Sequence, residues 1–245
     1  VILFAGDIHG RVSALEQVYK DAIDKKVQAI IQVGDFGIYW PDPENGLSSF
    51  FENNKSEIPF FFCDGNHENH TVLDEMYENQ KVSNPTPDVV QVAKNCYHVR
   101  RGTLMNLNGN NILFMGGAQS YLGKKDSPFI FGKNWWPREM PSHNELEMFK
   151  KNYEKADIVV THDCPSFLLK HQKYHKKWSK NGVPQYFKAV VEGATKHPNT
   201  WFFGHHHEHE HWDYKGVRYY CCGKQGESWL YSSANCVKTG IRILE

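Results

Sequence analysis

Five short apolar runs in this chain each lead into a polar turn rich in Asp, Asn and His: VILFA before GDIHG, AIIQV before GDFG, PFFFC before DGNHE, DIVV before THDCP, and TWFF before GHHH. Runs of four or five β-branched and aromatic residues read as buried strands, so each polar cluster belongs just beyond a strand's carboxyl end. Between the first two runs, Ser13 and Glu16 have capping-box spacing. Leu15, Val18, Tyr19, Ala22 and Ile23 then fall on one helical face, with Lys20, Asp21, Asp24 and Lys25 opposite. The rhythm is α/β.

From about residue 99 the pattern changes. TLMNL, NGNN and ILFMGG spell a hairpin; HWDY and VRYYCC flank a Lys-Gly turn; IRIL is a last strand. Residues 118–143 read as an irregular insertion with a Trp-Trp pair, and 145–155 as a helix. Phe167, His171, Tyr174 and Trp178 are spaced as on a helix over 166–179, and Pro184 suits the first turn of another. With no repeat, low-complexity tract or boundary, the expectation is one domain over 1–245.

Composition narrows the setting. Twenty-eight basic residues balance 28 acidic ones, so any anion site must come from local arrangement. Six cysteines without a Cys-x-x-Cys pair argue against a zinc ribbon or a secreted disulfide scaffold. No apolar run approaches the ~20 residues of a membrane span, and the chain opens on a strand without a signal-peptide layout. A reduced, cytoplasmic setting is expected, with no membrane association and no inferable protein partner.

In open α/β sheets, ligands bind beyond the carboxyl ends of the strands. Asp7, His9, Asp35, Asn66, His67, His162, His205 and His207 therefore converge at one edge. Oxygen and imidazole donors without thiolate suit transition ions rather than calcium or structural zinc. The donors are too many for one catalytic ion with open positions, so two ions roughly 3.5–4 Å apart are expected. Gly6, Gly34, Gly65 and Gly204 precede the ligands, where the chain must turn sharply and approach an ion closely. In an extended segment His205 and His207 share a face; His206 points the other way, and His209 and His211 lie too far along.

These blocks resemble the signatures of the calcineurin-like metallophosphoesterase superfamily. The resemblance implies a four-layer α/β/β/α sandwich of two mixed sheets with a dinuclear metal site at strand ends. It puts Asp7, His9 and His207 on one ion, Asn66, His162 and His205 on the other, and Asp35 between them. His67 is the unligated catalytic histidine. Manganese comes first as the metal, with iron, zinc or nickel as alternatives. Such a centre stays net positive, attracts phosphate and lowers the pKa of bound water towards ~7, so a bridging hydroxide is the expected nucleophile. His67 would protonate the leaving oxygen or clamp the phosphate.

The implied activity is phosphatase or phosphodiesterase action on a nucleotide or other small phosphoester. Alternatives are a nuclease, a protein phosphatase or a non-catalytic scaffold. The protein-phosphatase branch carries Arg before GNHE; here Cys63-Asp64 stands there, and Asp64 should repel phosphate. Arg11 is a candidate replacement. Tyr39, Trp40, Trp135 and Trp136 are candidate aromatic contacts to substrate, and the acid-free run 170–182 could guide a polyanion. Cys164 reads as structural, and no Gly-x-Ser-x-Gly elbow occurs.

Overall fold

The apolar runs are strands, and their unbroken hydrophobicity follows from having both faces covered. The computed structural model describes residues 1–80, 88–120, 129–171, 182–232 and 236–239. In chain order these form β1 (Ile2–Ala5), α1 (Val12–Asp24), β2 (Ala29–Gln32), α2 (Leu47–Asn53), β3 (Phe60–Phe62), α3 (His70–Gln80), β4 (Val89–Ala93), β5 (Cys96–Val99), β6 (Leu104–Leu107) and β7 (Asn110–Met115). Then follow α4 (His143–Tyr153), β8 (Ile158–Thr161), α5 (Gly182–Gly193), β9 (Thr200–Phe203), β10 (His211–Tyr214), β11 (Val217–Cys221), β12 (Ser228–Tyr231) and β13 (Cys236–Thr239).

The strands make a seven-stranded sheet, β13-β12-β1-β2-β3-β5-β4, and a six-stranded sheet, β10-β11-β9-β8-β7-β6. Parallel pairs occupy the middle of both sheets and antiparallel strands the flanks, so both are mixed. The alternation of side chains along a strand sorts them into layers. In β9, Trp201 and Phe203 face α4 and α5, where Phe149 and Phe187 cover them, while Phe202 faces the other sheet. In β1, Leu3 and Ala5 face α1, while Phe4 meets Phe202 with stacked rings 3.7 Å apart. The result is the four-layer α/β/β/α sandwich.

Several local expectations need correction. Arg11, not a serine, is the N-cap of α1, and it makes no side-chain cap bond; Ser13 already lies inside the helix. The capping box instead occurs at Ser142 and Glu145, starting α4 two residues before the expected helix. Ile23 is more than half exposed. The β4–β5 hairpin and β12 add strands beyond those expected: VVQVA and SWLY are as short as the other runs but lead into no Asp-, Asn- or His-rich turn. Ser166–His171 is a 3-10 helix; residues 172–181, which carry most of the basic run, and the IRIL segment lie outside the described residues. The Lys-Gly turn between β10 and β11 forms as expected, both residues having positive φ. Among the described residues, no helix is long and apolar enough to cross a membrane.

Candidate metal centre

The backbone brings the five turns together before any side chain is considered. Beyond β1 and β2, the N–H groups of Ile8 and His9 donate to Asp35 O at 3.0 and 2.9 Å. Beyond β8 and β9, Gly204 N–H donates to His162 O at 3.0 Å. The His162 imidazole bridges the sheets, with Nδ1 3.0 Å from Val33 O and Nε2 3.2 Å from Asp35 Oδ1.

Two groups of donor atoms result. In the first, His207 Nε2 lies 3.1 Å from both His9 Nε2 and Asp7 Oδ2, and His9 Nε2 lies 3.7 Å from Asp7 Oδ2. In the second, His162 Nε2 lies 3.2 Å from both Asp35 Oδ1 and Asn66 Oδ1, with His205 alongside. Asp35 faces both: Oδ1 towards His162, and Oδ2 towards His9 at 3.8 Å.

These spacings test whether the residues fit transition ions. Donors at roughly 2.0–2.2 Å from one tetrahedral or octahedral ion sit about 2.8–3.6 Å from each other; the pairs at 3.1 and 3.2 Å fall in that range, and His9–Asp7 at 3.7 Å lies just beyond it. Charge agrees with distance. Asp7 and Asp35 are buried, and among the described residues neither is paired with lysine or arginine. Burial would raise the Asp35 carboxyl, but the imidazoles of His162, His67 and His9 hold it well below the usual carboxylate range. Burial opposes charge on His162, yet Asp35 and Asp7 raise it to about 10. Burial pushes His205 down to about 3, outweighing the upward pull of Asp163 and Asp35. The carboxylates thus demand positive charge, and cations could supply it while leaving the rings neutral to coordinate.

The way the chain achieves this differs from simple strand alternation. His9, Asp35, His205 and His207 all have positive φ, between 52° and 66°. Non-glycine residues seldom adopt this conformation, and it persists where surrounding structure enforces it. His205 and His207 converge through two left-handed residues, not through a shared strand face. All four preceding glycines are needed for room: a Cβ would overlap the Gly223 carbonyl at Gly6, the His162 ring at Gly34, and the Asp35 and Asp7 carboxylates at Gly65 and Gly204.

His67 stands beside the second group. Its backbone N–H donates to Asp35 Oδ1 at 2.7 Å, and Trp40 covers its ring at 4.4 Å. Nδ1 is buried with no hydrogen-bond partner among the described residues, and burial lowers the ring's pKa. Sequence reasoning missed Glu68, whose buried carboxylate accepts the Phe36 and Gly37 N–H groups at 2.8 and 3.0 Å and fixes the turn after Asp35. It also missed Ser120 and Glu139, which reach Asn66 from the insertion.

Asp64 is held in a buried ion pair. Arg101 Nε donates to its Oδ2 at 2.8 Å and Nη2 to the same oxygen, while His98 Nε2 lies 3.2 Å from Oδ1. The expected repulsion is cancelled by a buried arginine 37 residues away in sequence.

A cleft of about 240 Å³ opens over the donors, lined by Asp35, Asn66, His67, Ser120, Phe129, His205 and His207. The expected aromatic contacts lie elsewhere. Tyr39 turns into the core and donates to Val92 O at 2.8 Å; Trp136 is buried and donates to Thr71 Oγ1 at 2.8 Å. Trp135 is half-buried at the base of the insertion's Phe131 turn, and Arg11 is exposed at the start of α1; neither lines the cleft. Of the anticipated aromatics, Trp40 lies against His67, and it is Phe129 that lines the cleft. His206 packs against Asp163, Nε2 to Oδ1 3.0 Å, with buried Cys164 beside it. His209 stacks on Trp229 and His211 on Tyr220, away from the donors.

Residues 1–209 match the calcineurin-like phosphoesterase family. A Thermus thermophilus protein known as TT1561 aligns over 98% of both chains, with TM-score 0.59 and 16% identity. A putative 5'-nucleotidase from Staphylococcus aureus, solved with alpha-ketoglutarate, aligns over 97% of this chain and 52% of its own, with TM-score 0.47 and 14% identity. No curated protein matches the chain.

Proposed function

From the premise that this chain belongs to the calcineurin-like phosphoesterase family, we propose that it hydrolyses a small phosphoester, such as a nucleotide, with two transition-metal ions, manganese first. Asp7, His9 and His207 would hold one ion, Asn66, His162 and His205 the other, and Asp35 both. When bound, such ions acidify water and take up the negative charge of the phosphoryl group. The observation that carries the reading is the spacing of these donors at the edge length of a coordination polyhedron, around two buried carboxylates with no fixed counter-charge.

The chain's own residues do the rest. Asp35 is kept ionised by its surroundings, and Glu68 and the His67 N–H fix its turn. His67 reaches the cleft with a ring whose proton affinity burial lowers, and nearby cations would lower it further. A neutral imidazole suits hydrogen-bond donation to a phosphoryl oxygen better than holding a proton in reserve, so the clamp role is favoured over the acid. Phe129 offers an aromatic face at the rim, and a space of about 240 Å³ suits a phosphoryl group with a small substituent better than a folded protein surface. The six cysteines form no disulfide, which supports a reduced, cytoplasmic setting.

The test is hydrolysis of p-nitrophenyl phosphate, bis-p-nitrophenyl phosphate, nucleotides and short single-stranded DNA, with manganese, nickel, zinc or chelator. Manganese-dependent cleavage of a small ester, abolished by chelator, is expected. Hydrolysis indifferent to chelator, or none of any ester by metal-loaded protein, would overturn the proposal. Cleavage of DNA alone, falling steeply with salt, would transfer it to nucleic acid.

A further inference from the structure

An asparagine side chain has two ends of nearly equal size, and only the oxygen can coordinate a cation. Asn66 meets His162 Nε2 with Oδ1 at 3.2 Å and Ser120 Oγ with Nδ2 at 3.2 Å. Ser120 is itself held by Glu139: its N–H donates to Oε1 at 2.8 Å and its Oγ–H to Oε2 at 2.6 Å. Asn66, Ser120 and Glu139 are all buried, and Arg101 Nη2 donates to Glu139 O at 3.2 Å, anchoring the turn that carries it. A hydroxyl has one proton. With that proton committed to a carboxylate, Ser120 Oγ can only accept, and the amide end facing it must be the NH2. Glu139 therefore polarises the chain in one sense and leaves Asn66 Oδ1 turned towards the second donor group.

We propose that Glu139, acting through Ser120, is a positioning residue: it fixes the sense of the Asn66 amide and so sets the affinity of the ion shared by Asn66, His162 and His205. This rests on the two-ion reading above. It gives the insertion a task at the centre, since both residues lie within 118–143. Glu139→Gln keeps the shape but lets the new amide donate to Ser120 Oγ. The serine proton is then free to turn to Asn66, and the opposite sense becomes equally good. Ser120→Ala removes the acceptor that holds the NH2 end, while Ser120→Thr retains the hydroxyl.

The experiment measures manganese stoichiometry and affinity by titration calorimetry, with electron paramagnetic resonance of the coupled ion pair, on the parent chain and its variants. Parent and Ser120→Thr should bind two ions. Glu139→Gln and Ser120→Ala should bind one ion as the parent does and the other about 10–100-fold more weakly, the usual cost of losing an outer partner of a metal ligand. The coupled-pair signal should then vanish at concentrations that saturate only the tight site. Parental affinity for both ions in both variants would overturn the proposal, as would equal weakening at both sites, which marks general loosening. If Glu139→Gln does not fold, Ser120→Ala carries the same test. A parent that binds no pair of ions would instead remove the two-ion reading, a result distinguishable from the others.

Discussion

Asp35 and Asp64 are buried aspartates just beyond the carboxyl ends of neighbouring parallel strands, β2 and β3, yet they are accommodated in opposite ways. Asp64 has a permanent cation. Burial would raise its carboxyl, but the Arg101 guanidinium and His98 hold it well below the usual range. Tyr77 closes the network on the far side of His98, with its OH 2.9 Å from Nδ1. Asp35 is surrounded by His162, His67 and His9, rings that carry charge only with a proton. A satisfied pair stabilises a fold and is chemically inert; a carboxylate that borrows its counter-charge can exchange a proton for an ion. The difference separates scaffold from candidate metal centre within thirty residues of chain.

The same change in both places should therefore break different things. Asp64→Asn leaves the buried Arg101 charge with Glu145 alone, 3.6 Å away, and should destabilise the fold by up to about 3–5 kcal/mol. Chemical denaturation would read that loss, while kcat/KM of the remaining folded protein should change far less. Asp35→Asn should lower kcat/KM on the best manganese-dependent substrate by about 10²–10³-fold, on the scale of losing one electrostatic group from an active site. Its chelated form should lose less stability than Asp64→Asn does, because the imidazoles that hold the Asp35 carboxyl below its usual range carry charge only with a proton, whereas Arg101 is charged throughout. Similar effects of both variants on both readouts would erase the distinction.

Histidines sharpen the comparison. Beside carboxylates, His162 rises to about 10; His70, buried at the start of α3, is pushed down to about 3 by that burial. Unfolded His70 takes up a proton near pH 6.5, and folded His70 only near 3. The unfolded state therefore binds more protons between these values, and stability falls as pH drops through the window, by up to about 1.4 kcal/mol per pH unit. Unfolding free energies of chelated parent and His70→Gln, compared from pH 4 to 6.5, should differ in slope by that amount. Parallel curves would show that His70 is not held neutral. The smallest effect belongs to Tyr39, whose phenol serves the core: Tyr39→Phe should cost about 0.5–1.5 kcal/mol in thermal unfolding and leave KM unchanged. A raised KM would return Tyr39 to the substrate cleft.

How legible this was in sequence depends on the range of the interaction. Apolar runs ending in Asp, Asn or His gave the parallel strands and the donors at their ends, because strand and ligand lie within a few residues of one another. His205 and His207 met in the expected neighbourhood for another reason, since left-handed φ values cannot be read from GHHH. The Arg101–Asp64 pair and the Asn66–Ser120–Glu139 chain join residues 19 to 54 positions apart, and no local pattern announces them. Aromatic residues misled, because burial and substrate stacking favour the same side chains. Tyr39 and Trp136 went to packing, while Phe129, at the end of an unremarkable stretch, lines the cleft.

Anomalous diffraction from crystals saturated with manganese tests the central claim most directly. Two peaks are expected, one bounded by Asp7, His9 and His207 and one by Asn66, His162 and His205, with the Asp35 carboxylate reaching both. A single peak, or none, with these imidazoles turned apart, would contradict the account.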